Sequence, residues 1–296
     1  MKKIFSKKFI IVVSLVLITL LLVSALPLAT CADNSGARPV WILSHRCNNP
    51  GDVKKATAQG ANGVEIDLRR CKDSVKEEDG EVRWVLNHDA ALASSLSLKN
   101  FFKDELADSK CCLVYLDIKN VKKMTDLMDR IHQYMDKYDR GNVWFVYSVS
   151  SLSDAKYFDD IASKLRKNEG LMVDRSSNYK GVNQKFKDLK VENCWYAHGI
   201  YDENVARFYK IRASLKKAKE LDGSVFKKTA SWSMYSKSGI KDRLITLGCD
   251  AVVVEGGGGD YHHCGRVSGI KYAMEVLKEN SSKIRIATAE DNPFVK

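Results

Sequence analysis

Eight short apolar runs, each separated from the next by helical spacing or a polar stretch, are what most restrict the fold open to this chain. They lie at 39–45, 63–68, 112–119, 142–149, 170–174, 194–200, 229–234 and 251–255. Between them, DVKKATAQG, KKMTDLMDRIHQYMDKY, LSDAKYFDDIASKLRKN, DENVARFYKIRASLKKAKEL and IKDRLITLG carry apolar residues at helical intervals, and SGIKYAMEVLKEN closes the series. Gly60 suits the C-cap of the first of these helices. Strand–helix alternation repeated eight times predicts a closed parallel (β/α)8 TIM barrel, an α/β fold built as one domain, rather than an open sheet. VRWVLNH is a ninth strand-like run. The charged segment before it, KDSVKEEDGE, marks it as part of a hairpin excursion above the barrel. Four glycines at 256–259, then Asp260, form a loop after the last strand, on the face where barrel enzymes keep their chemistry.

That face collects an unusual set of side chains. His45 ends the first run, Glu65 and Asp67 the second, His88 the hairpin run, and Asp117 and Lys119 the third. Each pair is two residues apart, so in a strand both members point to one side. Three carboxylates suit a hard divalent cation, and the ammonium suits a phosphate oxygen. Two imidazoles divide the work of base or nucleophile and of acid. One such pair alone would read as strand-end solvation; two pairs and two histidines on successive elements do not. The other histidines are weaker candidates. His132 lies in a helical pattern and suits packing or surface. His198, near a strand end, suits the barrel mouth. His262 and His263 follow the Gly-rich loop, where they suit a headgroup contact or, with Cys264, adventitious metal.

The amino terminus carries Lys2, Lys3, Lys7 and Lys8, then an apolar stretch over 9–28 and small residues over 29–32. This predicts a secretory signal peptide over 1–31 and a mature domain over 32–296, with export as a secreted, extracellular protein. The stretch is long enough to serve instead as an uncleaved anchor, and Leu28-Ala29-Thr30-Cys31 is a poor lipobox. Removing the leader lysines still leaves a basic chain, from a formal charge of +11. That balance fits anionic lipid surfaces or lipid phosphates as well as plain solubility. No basic-aromatic stripe or nucleic-acid motif occurs. Of the eight cysteines, Cys31 falls in the leader, which leaves an odd number and at least one unpaired thiol per monomer. No CxxC zinc spacing is present, and Cys111-Cys112 suits strand packing.

These residues resemble the sphingomyelinase D-like phospholipase D toxins of spider venoms and their bacterial and fungal relatives, distant cousins of the glycerophosphodiester phosphodiesterases. The likeness runs through the mature chain. ADNSGARPVWILSH is similar to the family's mature start, GANGVEIDL to its metal-binding strand and LDIK to its third-strand Asp and Lys. ATAEDNPF, at 287–294, is similar to the tail that plugs the barrel base in this family, and is the most specific of these signals. The resemblance implies one Mg2+ ion held by Glu65, Asp67 and Asp117. It makes His45 the nucleophile or base, His88 its acid/base partner, Lys119 a phosphate holder and Trp232 a lining of the substrate pocket. It implies loss of the alcohol headgroup from a sphingophospholipid or lysophospholipid at a membrane surface. The lipid's own hydroxyl attacks phosphorus, giving a cyclic phosphate and free choline or ethanolamine. A monomer without nucleic-acid partners is expected.

Three departures stand out. NHDAALASSLS lacks the cysteine of the spider loop. Glu255 ends the eighth run where many members have Asn, and is expected beside His45, orienting it. CWYAHGI differs from the venom pattern at a headgroup-contacting stretch. A hydrolytic glycerophosphodiesterase is the alternative enzyme, but Cys47-Asn48-Asn49-Pro50-Gly51-Asp52 lacks the Glu that family carries after its first HR. A non-catalytic lipid-binding barrel is the third reading; retention of all six site residues opposes it.

Overall fold

The structure, a computed structural model, describes residues 36–199, 205–255 and 269–296, without the side chains of 205–207. The predicted leader, the Gly-rich loop with His262, His263 and Cys264, and the end of the CWYAHGI stretch lie outside the described residues. The chain divides into two units, 1–37 and 38–296, and the second holds all the elements below.

Eight parallel strands close into a barrel: β1 (Arg38–Ser44), β2 (Gly63–Arg70), β4 (Leu113–Ile118), β5 (Trp144–Val149), β6 (Glu169–Val173), β7 (Cys194–Ala197), β8 (Lys228–Met234) and β9 (Ala251–Val254). β1 pairs with both β2 and β9, which completes the ring. All eight predicted strands are there. β3 (Trp84–Leu86) runs antiparallel to the upper half of β2, Leu68 opposite Leu86, so the ninth run is the expected hairpin above the barrel. Gly80, at φ 82°, turns that hairpin. Around the ring sit α1 (Asp52–Ala58), the single turn α2 (Leu98–Asn100), α3 (Met124–Lys137), α4 (Tyr179–Asp188), α5 (Val205–Lys219), the short α6 (Lys237–Lys241) and α7 (Gly269–Glu279). Gly60 follows α1 at φ 107°, a conformation only glycine adopts without strain.

Two expected helices differ. IKDRLITLG continues α6 as a π-helical turn over Asp242–Thr246. LSDAKYFDDIASKLRKN forms two 3-10 segments, Asp154–Asp160 and Ala162–Lys164. Its fully buried residues Ala155, Phe158 and Ile161 recur every third position, the period of a 3-10 helix rather than an α-helix.

Alternation along each strand divides the apolar residues between two cores. Outward residues such as Val40, Ile42, Val64, Ile66, Val114 and Leu116 pack under the helices. Inward residues form a separate cluster that includes Trp41, Leu43, Leu113, Tyr115, Val146, Met172, Trp195, Val253 and Phe294. The inward series therefore climbs from an apolar floor to a polar mouth: Trp41 and Leu43 on β1 lead to His45 just past it, and Leu113 and Tyr115 lead to Asp117 on β4.

The floor is closed by the chain end. β10 (Ile284–Ile286) pairs parallel with the start of β1, and the following residues turn under the barrel. Trp195 Nε1 donates to Pro293 O at 2.9 Å, Trp144 Nε1 to Ala289 O at 3.2 Å and Asn62 Nδ2 to Ala287 O at 2.8 Å. Phe294 is buried and meets Trp144 edge-on, ring centroids 5.7 Å apart. Gly170 makes room for it: a Cβ there would stand 2.3 Å from the Phe294 ring. The tail is the expected plug. The described cysteines, Cys47, Cys71, Cys111, Cys112, Cys194 and Cys249, are all buried free thiols.

Candidate active site

Strand register assembles the acids. β2 and β4 pair with Glu65 opposite Tyr115 and Asp67 opposite Asp117, so the inward carboxylates of two neighbouring strands lie at adjoining levels. One oxygen from each of Glu65, Asp67 and Asp117 falls within 4.8 Å of the others. Asn48 fixes Asp67 from both ends, donating Nδ2–H to Oδ2 at 2.7 Å and accepting the Asp67 N–H at 3.0 Å. The Arg46 N–H donates to Glu65 Oε2 at 2.6 Å, and Arg46 holds φ 53° to reach it.

Lys119 is bonded to Asp117 and lies 2.9 Å from Asp67 Oδ1. Its three N–H groups leave a donor for a ligand after these two contacts. Burial alone would depress its ammonium, but Asp117 and Asp67 overcome this and hold it above the usual lysine range. Burial also pushes the Glu65 carboxyl well above its ordinary range, helped by the charges of Asp67 and Asp117. Burial raises Asp117 as well, against the pull of Lys119. At Asp67 burial is outweighed by Lys119, and the carboxyl is lowered. Three buried acids facing one ammonium cannot all ionise comfortably. Asp117 Oδ1, moreover, is buried with no hydrogen-bond partner. An all-oxygen donor set with excess negative charge and a bare buried oxygen fits a hard divalent cation.

His45 follows β1, between two acids. Its Nδ1 is 2.8 Å from Glu255 Oε1, and its Nε2 is 3.8 Å from Glu65 Oε2. Glu255, just past β9, thus stands beside His45 as expected. With Nδ1 against Glu255, Nε2 is the ring nitrogen turned toward the acids. His88 stands on the β3 side at the rim. Arg69 fixes its carbonyl through Nε at 2.9 Å and a terminal nitrogen at 2.6 Å, and Asp89 Oδ1 lies 2.6 Å from its Nδ1.

These groups line one cavity of about 340 Å3, with His45, His88, Glu65, Asp67, Asp117, Lys119 and Trp232 on its walls. Glu255 touches it through His45. His198 does not line it: its Nδ1 lies against Ser214 Oγ at 2.5 Å, behind the barrel wall. His132 is likewise structural, with Nε2 2.8 Å from the buried Glu169. The cavity also contains groups that the strand-end pattern did not single out, above all Tyr115, Asp174 and Arg175. Tyr115 shares the inward face with Asp117 and Lys119, and Asp174 shares that of Met172; both were visible as alternation.

Fold and site together define a (β/α)8 barrel with three clustered carboxylates, able to hold a cation, flanked by two imidazoles. The chain belongs to the Sphingomyelinase D/Phospholipase D family, whose model matches residues 35–294. It is 22% identical to a sphingomyelinase D of Arthroderma benhamiae over 90% of this chain and 80% of that one. It is also 22% identical to the dermonecrotic toxin LiSicTox-alphaII1 of Loxosceles intermedia, over 88% of this chain and 90% of the toxin. Among solved structures, an Oleispira antarctica phosphodiesterase in complex with the product sn-glycerol-3-phosphate shares the fold at TM-score 0.53 and 12% identity, over 80% of this chain and 96% of the other. Membership makes the chain a phosphodiesterase of phospholipids.

Proposed function

We propose that this chain is an exported, Mg2+-dependent phospholipase D-type lyase that releases the headgroup of sphingophospholipids or lysophospholipids as the lipid closes a cyclic phosphate. The observation that carries the proposal is the gathering of Glu65, Asp67 and Asp117 within 4.8 Å, on the cavity that His45, His88 and Lys119 also line. Those three carboxylates would hold the ion, which when bound supplies Lewis-acid polarisation of a phosphate oxygen.

The remaining steps belong to the chain's own groups. Lys119 offers its spare N–H to a non-bridging phosphate oxygen. The lipid hydroxyl oxygen bonds to phosphorus as the bond from phosphorus to the headgroup oxygen breaks. One imidazole takes the hydroxyl proton and the other returns a proton to the departing headgroup oxygen, so no water is consumed. His45, whose Nε2 faces the acids, suits the first role, and His88 at the rim suits the second. The apolar lipid body and a membrane surface are the expected partners, and the monomer is the expected unit.

Hydrolysis in the manner of a glycerophosphodiesterase finds less support. Asp52, the acid that follows the first HR, turns away to accept the Asn49 N–H at 2.9 Å and is buried. Phosphorus NMR separates the readings. Sphingomyelin, lysophosphatidylcholine and glycerophosphocholine are incubated with the protein and Mg2+. A cyclic phosphate from either lipid is expected; glycerol 3-phosphate from the last substrate, with no cyclic product, would instead establish hydrolysis. Absence of any product would leave a binding barrel.

A further inference from the structure

Across the barrel from β2 and β4, the cavity wall holds an unusual pair of neighbours. Asp174 and Arg175 follow one another just past the end of β6, and both line the same cavity. Trp232 on β8 joins them. Its Nε1–H donates to Asp174 O at 2.8 Å, and the Arg175 guanidinium carbon stands 5.9 Å from its ring centroid.

Each member of the pair lacks something. Asp174 is 3% exposed; one oxygen accepts the Tyr115 hydroxyl, while Oδ1 is buried with no hydrogen-bond partner. A buried acceptor without a donor is costly and is normally met by a ligand or water. Arg175 is exposed, and among the described residues no carboxylate lies within ion-pair distance of it.

A ligand that satisfies both must carry a donor cation and an anion close together. A quaternary ammonium has no N–H for Asp174 and nothing for Arg175. A primary ammonium alone answers Asp174 and is repelled by the neighbouring guanidinium. An anion alone meets Arg175 but faces the Asp174 carboxylate. Guanidinium and carboxylate, by contrast, match in a two-point geometry that lysine cannot copy.

We propose that this enzyme selects phospholipids whose headgroup bears both an ammonium and a carboxylate on one short carbon unit, as serine does, and that Arg175 sets the preference. This rests on the headgroup-releasing reaction proposed above and names its substrate class. The bond changes are the same: the lipid hydroxyl oxygen joins phosphorus, the phosphorus–serine oxygen bond breaks, and free serine leaves with the returned proton.

The test uses the full chain with Mg2+ and three probes, lysophosphatidylserine, lysophosphatidylethanolamine and lysophosphatidylcholine, with released headgroup and cyclic phosphate measured together. The serine lipid is expected to exceed the choline lipid by about tenfold or more in kcat/KM, the size of a lost buried polar match. In Arg175→Ala the serine-to-ethanolamine ratio should fall by about tenfold, chiefly through KM for the serine lipid, with the ethanolamine lipid rising. Arg175→Lys should restore part of that ratio. Choline or ethanolamine lipids cleaved as well as the serine lipid, or an Arg175→Ala loss equal for all three, would overturn the proposal and leave the lyase reading standing. No headgroup released from any of the three would overturn both.

Discussion

His45 answers to two carboxylates, and they do different things. Glu255 lies against Nδ1, whereas Glu65 belongs to the cluster of three carboxylates. Removing either imidazole should therefore stop turnover without unfolding the chain. His45→Ala and His88→Ala are each expected to lose at least about 100-fold in kcat with an unchanged circular dichroism melt. Near wild-type turnover in either would take that ring out of the mechanism. Glu255→Gln keeps an uncharged oxygen within reach of Nδ1, and Glu255→Ala does not. If the carboxylate's charge matters, both variants should fall; activity retained only in the Gln variant would assign Glu255 a neutral hydrogen-bonding role. At this scale the site was largely legible: two i, i+2 pairs and two strand-end histidines occupy one cavity. Asp174 escaped because a lone acid after an apolar run is a common strand ending, and its missing partner is visible only when the walls around it are in place.

Among elements, the chain's last segment depends on the barrel floor. Phe294 fills space that Gly170 leaves open, and two indole N–H groups from Trp144 and Trp195 hold the backbone around it. Phe294→Ala should lower stability by about 3–5 kcal/mol, as loss of a buried aromatic ring does, read as a lower urea midpoint. A loss below about 1 kcal/mol would mean that the tail does not plug the base. The floor also has a polar anchor on its outer side. Glu169, fully buried, accepts from the Tyr147 hydroxyl at 2.7 Å and the Arg166 N–H at 2.7 Å, and meets His132. The strand pattern at 170–174 put an acid just before the run, and nothing in that pattern distinguished a solvated end from this buried junction. The 3-10 segments after β5 carry the same lesson: a three-residue apolar interval looks helical in sequence, and the crowded outer core settles its pitch.

For the whole molecule, charge and pH make the clearest claims. Bringing three buried acids together costs folding free energy that a bound dication offsets. Adding Mg2+ should therefore raise the thermal midpoint in a concentration-dependent way, and Asp117→Asn should blunt that rise. An identical rise in the variant would remove the acids from ion binding. His198 supplies a pH dependence away from that centre. Burial, then the Arg243 cation, depresses its imidazole from 6.5 to about 4. The unfolded chain takes up a proton near 6.5 that the folded chain refuses until about 4, so this contribution is whole above 6.5 and is lost as pH falls between those values. His198→Asn should thus lose less stability than the parent between neutral pH and the lower limit, measured as the difference in urea midpoints. Equal losses would contradict the assignment. Among the described residues no helix is long and apolar enough to cross a membrane.

Local sequence was enough to dictate the eight-strand barrel, the hairpin above it and the six polar groups at its mouth; the plugging tail was legible only through its resemblance to the family's tail. The barrel and its mouth follow from local period, either two along a strand or three to four along a helix, which the chain records directly. It took the folded molecule to register Glu65 and Asp67 beside Tyr115 and Asp117, to turn His198 toward Ser214 behind the wall, and to bring Asp174 and Arg175 into one cavity. Those outcomes depend on strand stagger and on which neighbour leaves a buried polar atom unmet, quantities that arise only between segments distant in sequence.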